Sequence, residues 1–275
     1  MHATCAASRR VPKPLPRRDG NMARRQQGAE PICLDTGVDC HCLMRAMTTT
    51  LQAQVRHWRL PGMLMLLALI PSIAGLSRLV ELIHGATITA KNARYFAMPL
   101  PVEMHILSVI PFALLGALQL SPAWRKRHRR WHRAVGRALV PLGLTSALTG
   151  LWMAHFQAWP EGDGRVLYAL RIVAAIAMAA AILLGIAAIQ RKDFAAHGAW
   201  MTRAYAIAMG AGTQVLTHIP YFILLGAPTE GPRAFLMGAG WLINVALAEC
   251  WIRRAATAGS MANAPMGSGA SGVRS

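Results

Sequence analysis

The chain predicts an all-α polytopic membrane protein, a bundle of six transmembrane helices, on three observations. Six long apolar stretches alternate with short charged loops, each near the roughly 20 residues a helix needs to cross about 30 Å of hydrocarbon. Basic residues gather at every second loop, the asymmetry that orients membrane helices. Finally, 54% of the 275 residues are hydrophobic against 15% charged. The apolar residues come in blocks, which points away from a soluble domain of this length.

Before the first span, residues 1–56 are rich in Arg, Pro, Gly and Gln without sustained periodicity. They read as a disordered basic arm, unable to bury enough apolar surface to offset chain entropy. It lacks the plan of a secretory signal, since the first apolar segment starts only near residue 60. Met44, Met47 and Met63 each offer an alternative start, so translation of residues 1–46 is itself open. Cys33, Cys40, His41 and Cys42 match no paired zinc-knuckle spacing, and no metal site is expected there. Cys5 also lies in this arm and Cys250 in the sixth span, which leaves no disulfide pair across the membrane.

The spans run Leu60–Ser77, Pro99–Ser121, Ala138–Pro160, Ile172–Gln190, Ala204–Thr229 and Ala234–Ile252, within a transmembrane region of residues 57–254. Pro71, Pro111, Pro141 and Pro220 fall inside the first, second, third and fifth, where each removes a backbone bond and predicts a kink or an end. Small residues recur at Gly143 and Ala147, Ser146 and Gly150, Ala175 and Ala179, and Gly238 with Gly240, so helix backbones can approach closely. Residues 255–275 read as a flexible tail.

The formal charge of +18 would suggest nucleic acid if it formed one soluble face. It does not. Ten of the 29 basic residues lie at or before Arg59, and seven fall between Arg125 and Arg137 with no acid among them. Arg191, Lys192 and Arg203 mark the next alternate loop, and Arg253 with Arg254 closes the last span. The other loops mix Arg78, Lys91, Arg94, Arg165, Arg171 and Arg233 with Glu81, Glu161, Asp163 and Glu230. The charge is therefore topological. It puts both termini in the cytoplasm and the arginines against lipid headgroups, with no nucleic-acid partner.

Ionisable groups inside spans are costly unless they meet a partner or water, and histidine is the type that recurs. His84, His105, His155 and His218 fall near the outer face, and His128, His132 and His197 near the inner one. Two imidazole layers on different helices are what a membrane protein binding haem b requires, so His105, His132, His197 and His218 are candidate haem ligands, with arginines nearby for the propionates. A quinone or another redox partner would exchange the electrons. Helix geometry limits the pairing: His132 and His155 are 23 residues apart, roughly 34 Å and 140° of rotation, so they sit at opposite faces. Interfacial histidines also serve simply as amphipathic anchors.

The remaining polar candidates are Arg78, Glu103, Arg137, Arg203, Asn244 and Glu249. Arg78, Glu81 and His84 share a helical face, and with Glu103, His105, Arg171 and His218 they could form an outer cluster. A local Arg78–Glu81 pair plus headgroup contacts is the simpler reading. Glu249 either pairs locally with Arg253 or neutralises Arg137 or Arg203, and Asn244 is placed to hydrogen-bond across helices. Arg78, Glu103, His105, Glu249 and the four prolines also admit a small-solute or proton-coupled transporter. The small-residue faces admit a non-catalytic membrane subunit or scaffold. Whether the chain is an enzyme is undecided, as no nucleotide loop, HExxH or GxSxG is present.

The third span reads RRWHRAVGRALVPLGLTSALTGLWMA and the fifth DFAAHGAWMTRAYAIAMGAGTQVLTHIP. With VEMHILSVIPFALLGALQL and INVALAECWIRR, the chain resembles a family of bacterial predicted membrane proteins called domain of unknown function 2306. The resemblance covers roughly Pro61 to Arg254. It carries over His105, then His132, Gly136 and Arg137 at the start of the third span. His197, Trp200, Met201, Arg203 and Tyr205 follow at the start of the fifth, and Asn244 and Glu249 in the last. The chain departs from the pattern at Gly198, where a basic residue usually follows the histidine. The resemblance implies a six-span fold in a bacterial inner membrane and no reaction.

Overall fold

The computed structural model describes the backbone of residues 40–262 and the side chains of residues 58–257. The expectations for residues 1–39, for Cys33, Cys40, His41 and Cys42 as ligands, and for the end of the tail lie outside the described residues. The bundle belongs to the compact unit from Thr49 onward.

The described residues form helices only: α1 (Cys40–His84), α2 (Ala93–Ala97), α3 (Pro99–Gln119), α4 (Pro122–Arg127), α5 (Arg129–Phe156), α6 (Arg165–Gln190), α7 (Phe194–Ala208), α8 (Gly210–Leu225) and α9 (Glu230–Ala262). Six stretches are long and apolar enough to cross a membrane: Trp58–His84, Pro99–Gln119, Arg129–Phe156, Arg165–Gln190, Phe194–Leu225 and Glu230–Thr257. Most begin earlier or end later than the apolar runs alone, because charged ends continue the helical hydrogen bonding beyond the hydrocarbon. Residues 40–56, expected to lack structure, belong to α1. Neither Gly nor Pro occurs between Gly37 and Pro61, so nothing local stops the helix.

The four prolines do not end their helices: Pro71, Pro111, Pro141 and Pro220 lie inside α1, α3, α5 and α8. The break comes instead in the fifth span at Met209, between α7 and α8, with no proline at the break. Gly212 donates to the Met209 carbonyl at 3.1 Å and Thr213 to the same oxygen at 3.3 Å, a turn tightened beside the regular ladder. Two close approaches bracket it. Trp241 of α9 lies against Gly210, and the Leu67 carbonyl of α1 lies against Gly212.

α3 packs on α5, α5 on α6, α6 on α7, and both α7 and α8 on α9. Lipid offers no hydrophobic drive between helices, so association relies on close packing and interhelical hydrogen bonds. The buried cluster shows this pattern: Ala68, Ala113, Ala117, Ala147, Ala181 and Ala204 surround Phe112, Ile182 and Tyr205. Gly143 completes it, since a Cβ there would stand 2.6 Å from the Phe112 ring and 2.8 Å from Ile182. Outward-facing residues such as Leu66, Leu224 and Phe235 are exposed and apolar, as a lipid-facing surface requires.

Gly212→Ala would set a methyl against a backbone carbonyl that cannot rotate away. It is expected to destabilise the bundle by about 1–3 kcal/mol. Gly231→Ala, with nothing within 4 Å of the new Cβ, is expected to be neutral or mildly stabilising. Thermal unfolding of the detergent-purified variants measures both.

Candidate functional site

The richest polar geometry lies at the end of the bundle where the basic loops gather. His132 stands in the first turn of α5 and His197 in the first turn of α7. The two imidazoles come from different spans at one membrane face and lie within electrostatic reach of each other, and His132 also within reach of Arg125. His132 Nδ1 bonds the side-chain oxygen of Gln119, the last residue of α3. Gln119 returns a bond from Nε2 to the His132 carbonyl at 3.4 Å, which fixes its amide orientation. Arg125 of α4 donates to the Gln119 carbonyl at 3.4 Å. Burial pushes the Arg125 pKa below its ordinary value, though a guanidinium stays charged.

His197 Nδ1 lies 2.9 Å from the Gly185 carbonyl of α6. A carbonyl oxygen only accepts, so this nitrogen carries a proton, and in the neutral ring Nε2 keeps its lone pair. The same logic fixes His105, whose Nδ1 is 3.0 Å from the Ser146 carbonyl and 3.1 Å from the Thr149 hydroxyl. It fixes His218 as well, 2.7 Å from the Gln214 carbonyl. All four sequence-predicted histidines thus have Nδ1 on an oxygen acceptor and Nε2 available as a base. His155 differs, because its Nδ1 meets the Tyr168 hydroxyl at 2.9 Å, a group that can donate or accept.

The four do not gather into one place. His105 is held in the α3–α5 seam, whereas His218 faces a groove between α8 and α9, and α3 and α8 do not pack closely together. Of the four, His132 and His197 lie within electrostatic reach of each other. Gly136, one turn along α5 from His132, has nothing within 4 Å of where a Cβ would stand, so space remains open beside that imidazole.

Deeper along α7, Arg203 meets Glu249 of α9 through two bonds, Nε to Oε1 at 2.5 Å and Nη2 to Oε2 at 3.1 Å. Arg203 also lies over the Trp200 ring, 4.6 Å from its centroid. Of the alternatives the sequence left for Glu249, the structure selects Arg203. Arg137 is exposed and bonds its own helix at the Arg133 carbonyl. Asn244 crosses to Thr213, whose hydroxyl donates to Oδ1 at 2.8 Å, and its amide nitrogen is buried without a partner among the described residues.

The proposed outer cluster separates into local pieces. Arg78 pairs with Glu81 and lies over Tyr95, while Glu103 forms no ion pair among the described residues. Arg171 instead meets Asp163, a carboxylate the sequence reading did not single out. The Asp163 side chain is 2% exposed, 2.5 Å from Arg171 Nη1 and 2.7 Å from Arg233 Nε. The second contact is an ion pair rather than an aligned hydrogen bond. One buried acid thereby ties the α5–α6 loop to α6 and to the start of α9. The flanking Gly162 and Gly164 were the legible signal: Gly162 has φ +78°, and the Glu230 side chain packs where a Cβ on Gly164 would stand.

Residues 102–252 match the family described as Predicted membrane protein (DUF2306). The chain belongs to that family. No curated protein and no solved structure matches it. The DUF2306 region runs from α3 into α9 and includes His105, His132, His197, Arg203, His218, Asn244 and Glu249. The first span, which the wider resemblance includes, lies outside the match. Among the described residues of this DUF2306 protein, no three His, Cys, Asp or Glu side chains gather into a metal-holding group.

The Arg203–Glu249 pair lies roughly 14 Å of helix in from the start of α7, where an unpartnered charge is costly. Arg203→Met or Glu249→Met alone is expected to destabilise by about 1–3 kcal/mol. The double Met variant is expected to cost less than either single one, since it leaves no charge behind. Thermal unfolding of the three variants tests the order.

Proposed function

We propose that this protein is a membrane electron carrier that holds haem b at the basic end of the bundle, between His132 of α5 and His197 of α7. The observation that carries the reading is the shared tautomer. Each imidazole donates Nδ1–H to an oxygen and leaves Nε2 as the free base, the arrangement that orients and strengthens a metal-ligating histidine. The residues fit the group in three further respects. The two ligands come from separate helices at one face, Gly136 leaves space beside one of them, and Arg125 with the starts of α5 and α7 makes the surroundings suitable for carboxylates.

Bound haem would supply one-electron ferric–ferrous chemistry. The chain's own residues hold the positions. Gln119 and the Gly185 carbonyl fix the two ring planes, and Arg203, tied to Glu249 and Trp200, fixes α7 against α9. By the positive-inside rule this end faces the cytoplasm of a bacterial inner membrane, so electrons would be delivered or collected there by a soluble redox protein or a quinone. The break at Met209 is the feature a transporter reading would use, but transporter sites are typically formed by paired broken helices. Here one helix breaks, and Trp241 and Leu67 fill the space beside it.

The test is a dithionite-reduced minus oxidised spectrum of protein purified after haem-supplemented expression. The expected result is a b-type α-band with roughly one haem per chain. His132→Ala and His197→Ala are each expected to abolish it, and His155→Ala to retain it. A flat spectrum from the unaltered protein ends the reading.

A further inference from the structure

Two arginines enter the basic end to nearly equal depth, but their charges are met differently. Arg137 of α5 stands five residues past His132, and Arg203 of α7 six residues past His197. Those two histidines share one end of the bundle, so both arginines sit roughly 8–9 Å of helix further in. Arg203 is neutralised by Glu249. Arg137 forms no ion pair among the described residues, and the helices around it supply no acid. The chain holds none between Glu103 and Glu161, nor between Asp163 and Asp193, and Glu103 lies at the far end of α3. The charge of Arg137 must therefore be met from outside the chain.

Its surroundings say what that partner is. Arg130, Arg133 and Arg137 are exposed, as are Ala138, Pro141 and Leu148 further along α5. Helical spacing puts all six on one side, with Arg137 roughly 140° round the helix from His132. Arg137 Nε donates to the Arg133 carbonyl at 3.3 Å. That bond folds the side chain back one turn toward the basic end and leaves both Nη groups without a partner among the described residues. Arg130 to Arg137 covers roughly 10 Å of helix, so three like charges repel one another unless an anion lies among them. Toward the membrane centre the same side becomes apolar and low over Ala138 and Pro141. It is charged where headgroups lie and apolar where acyl chains lie. A soluble acidic protein would meet the charged half alone, whereas an anionic lipid meets both.

We infer that this side of α5 is a seat for one anionic phospholipid, its phosphodiester between Arg133 and Arg137 and an acyl chain along Ala138 and Pro141. The free Nη groups of Arg137 suit two phosphate oxygens at once, the fork geometry in which guanidinium binds phosphate. Selectivity follows from the missing acids. A zwitterionic headgroup brings an ammonium among three arginines with no carboxylate to receive it, and an anionic one does not. The seat faces away from His132 and does not rest on haem binding.

The experiment is native mass spectrometry of the full chain in detergent, titrated with three probes: phosphatidylglycerol, phosphatidylcholine with the same acyl chains, and glycerol phosphate. Phosphatidylglycerol is expected to bind at least about tenfold more tightly than either of the others. Arg133→Gln/Arg137→Gln is expected to weaken its binding about tenfold. Arg253→Gln/Arg254→Gln removes equal charge from the last span and is expected to change it by less than about twofold. Ala138→Trp keeps all three cations and blocks the apolar half. It is expected to weaken binding as well, and it serves if the first double variant does not fold. Equal loss in the two double variants would make the preference a matter of net charge and overturn the seat. Equal binding of phosphatidylcholine would overturn the selection by charge, and equal binding of glycerol phosphate would overturn the lipid as occupant. Undiminished binding in Ala138→Trp would overturn the placement of the acyl chain.

Discussion

The bond from the Tyr205 hydroxyl to the Ala113 carbonyl, 2.7 Å long and buried, is the contact on which the rest of the bundle depends. It joins α7 to α3 across a separation of 92 residues. The ring comes so close to α3 that a Cβ on Gly116 would be 2.5 Å from it. In lipid a phenol without an acceptor is costly, and the neighbouring hydrocarbon offers none. A backbone carbonyl has two lone pairs, so Ala113 can serve the phenol as well as its own helix. The small side chains of Ala113 and Ala117, with none at Gly116, leave the α3 backbone accessible on this face. With α7 fixed against α3, its other faces meet α6 and α9, and the basic-end imidazoles are brought to one level.

The constraint extends to the polar groups that close the seams within the hydrocarbon. The α3–α5 seam is closed by His105 on Ser146 and Thr149, the α8–α9 seam by Thr213, Gln214 and Thr217 on Asn244 and the carbonyls of Met237 and Leu236. Each acceptor is a backbone carbonyl or a short side chain, reachable only because small residues let the helices approach. Packing and hydrogen bonding are thus one requirement in this molecule.

The two ends of the bundle solve charge differently. At the basic end, arginines outnumber acids and a single bidentate pair, Arg203 with Glu249, locks α7 to α9. At the other, one buried acid, Asp163, gathers two arginines and holds a loop down over the helices. The free imidazole nitrogens are what these frameworks leave over: two at the basic end, proposed for haem, one on His105 in the α3–α5 seam and one on His218 in the lateral groove.

The number of spans, their approximate limits and the sorting of basic loops were legible in the chain, because hydrocarbon thickness and charge asymmetry act on local runs of residues. The Arg78–Glu81 pair was legible for the same reason, since three residues on one helix face are neighbours whatever the fold. The tertiary structure alone decided which partner Glu249 took, that the fifth span breaks at Met209 and not at Pro220, and that Asp163 is buried. Each depends on what a second helix brings alongside: Arg203 at α9, Trp241 at Gly210, Arg233 over the α5–α6 loop. A histidine's presence in a span could be read from the chain, but which of its nitrogens stays free could not, because the carbonyls that fix the tautomer of His105 and His197 belong to other helices.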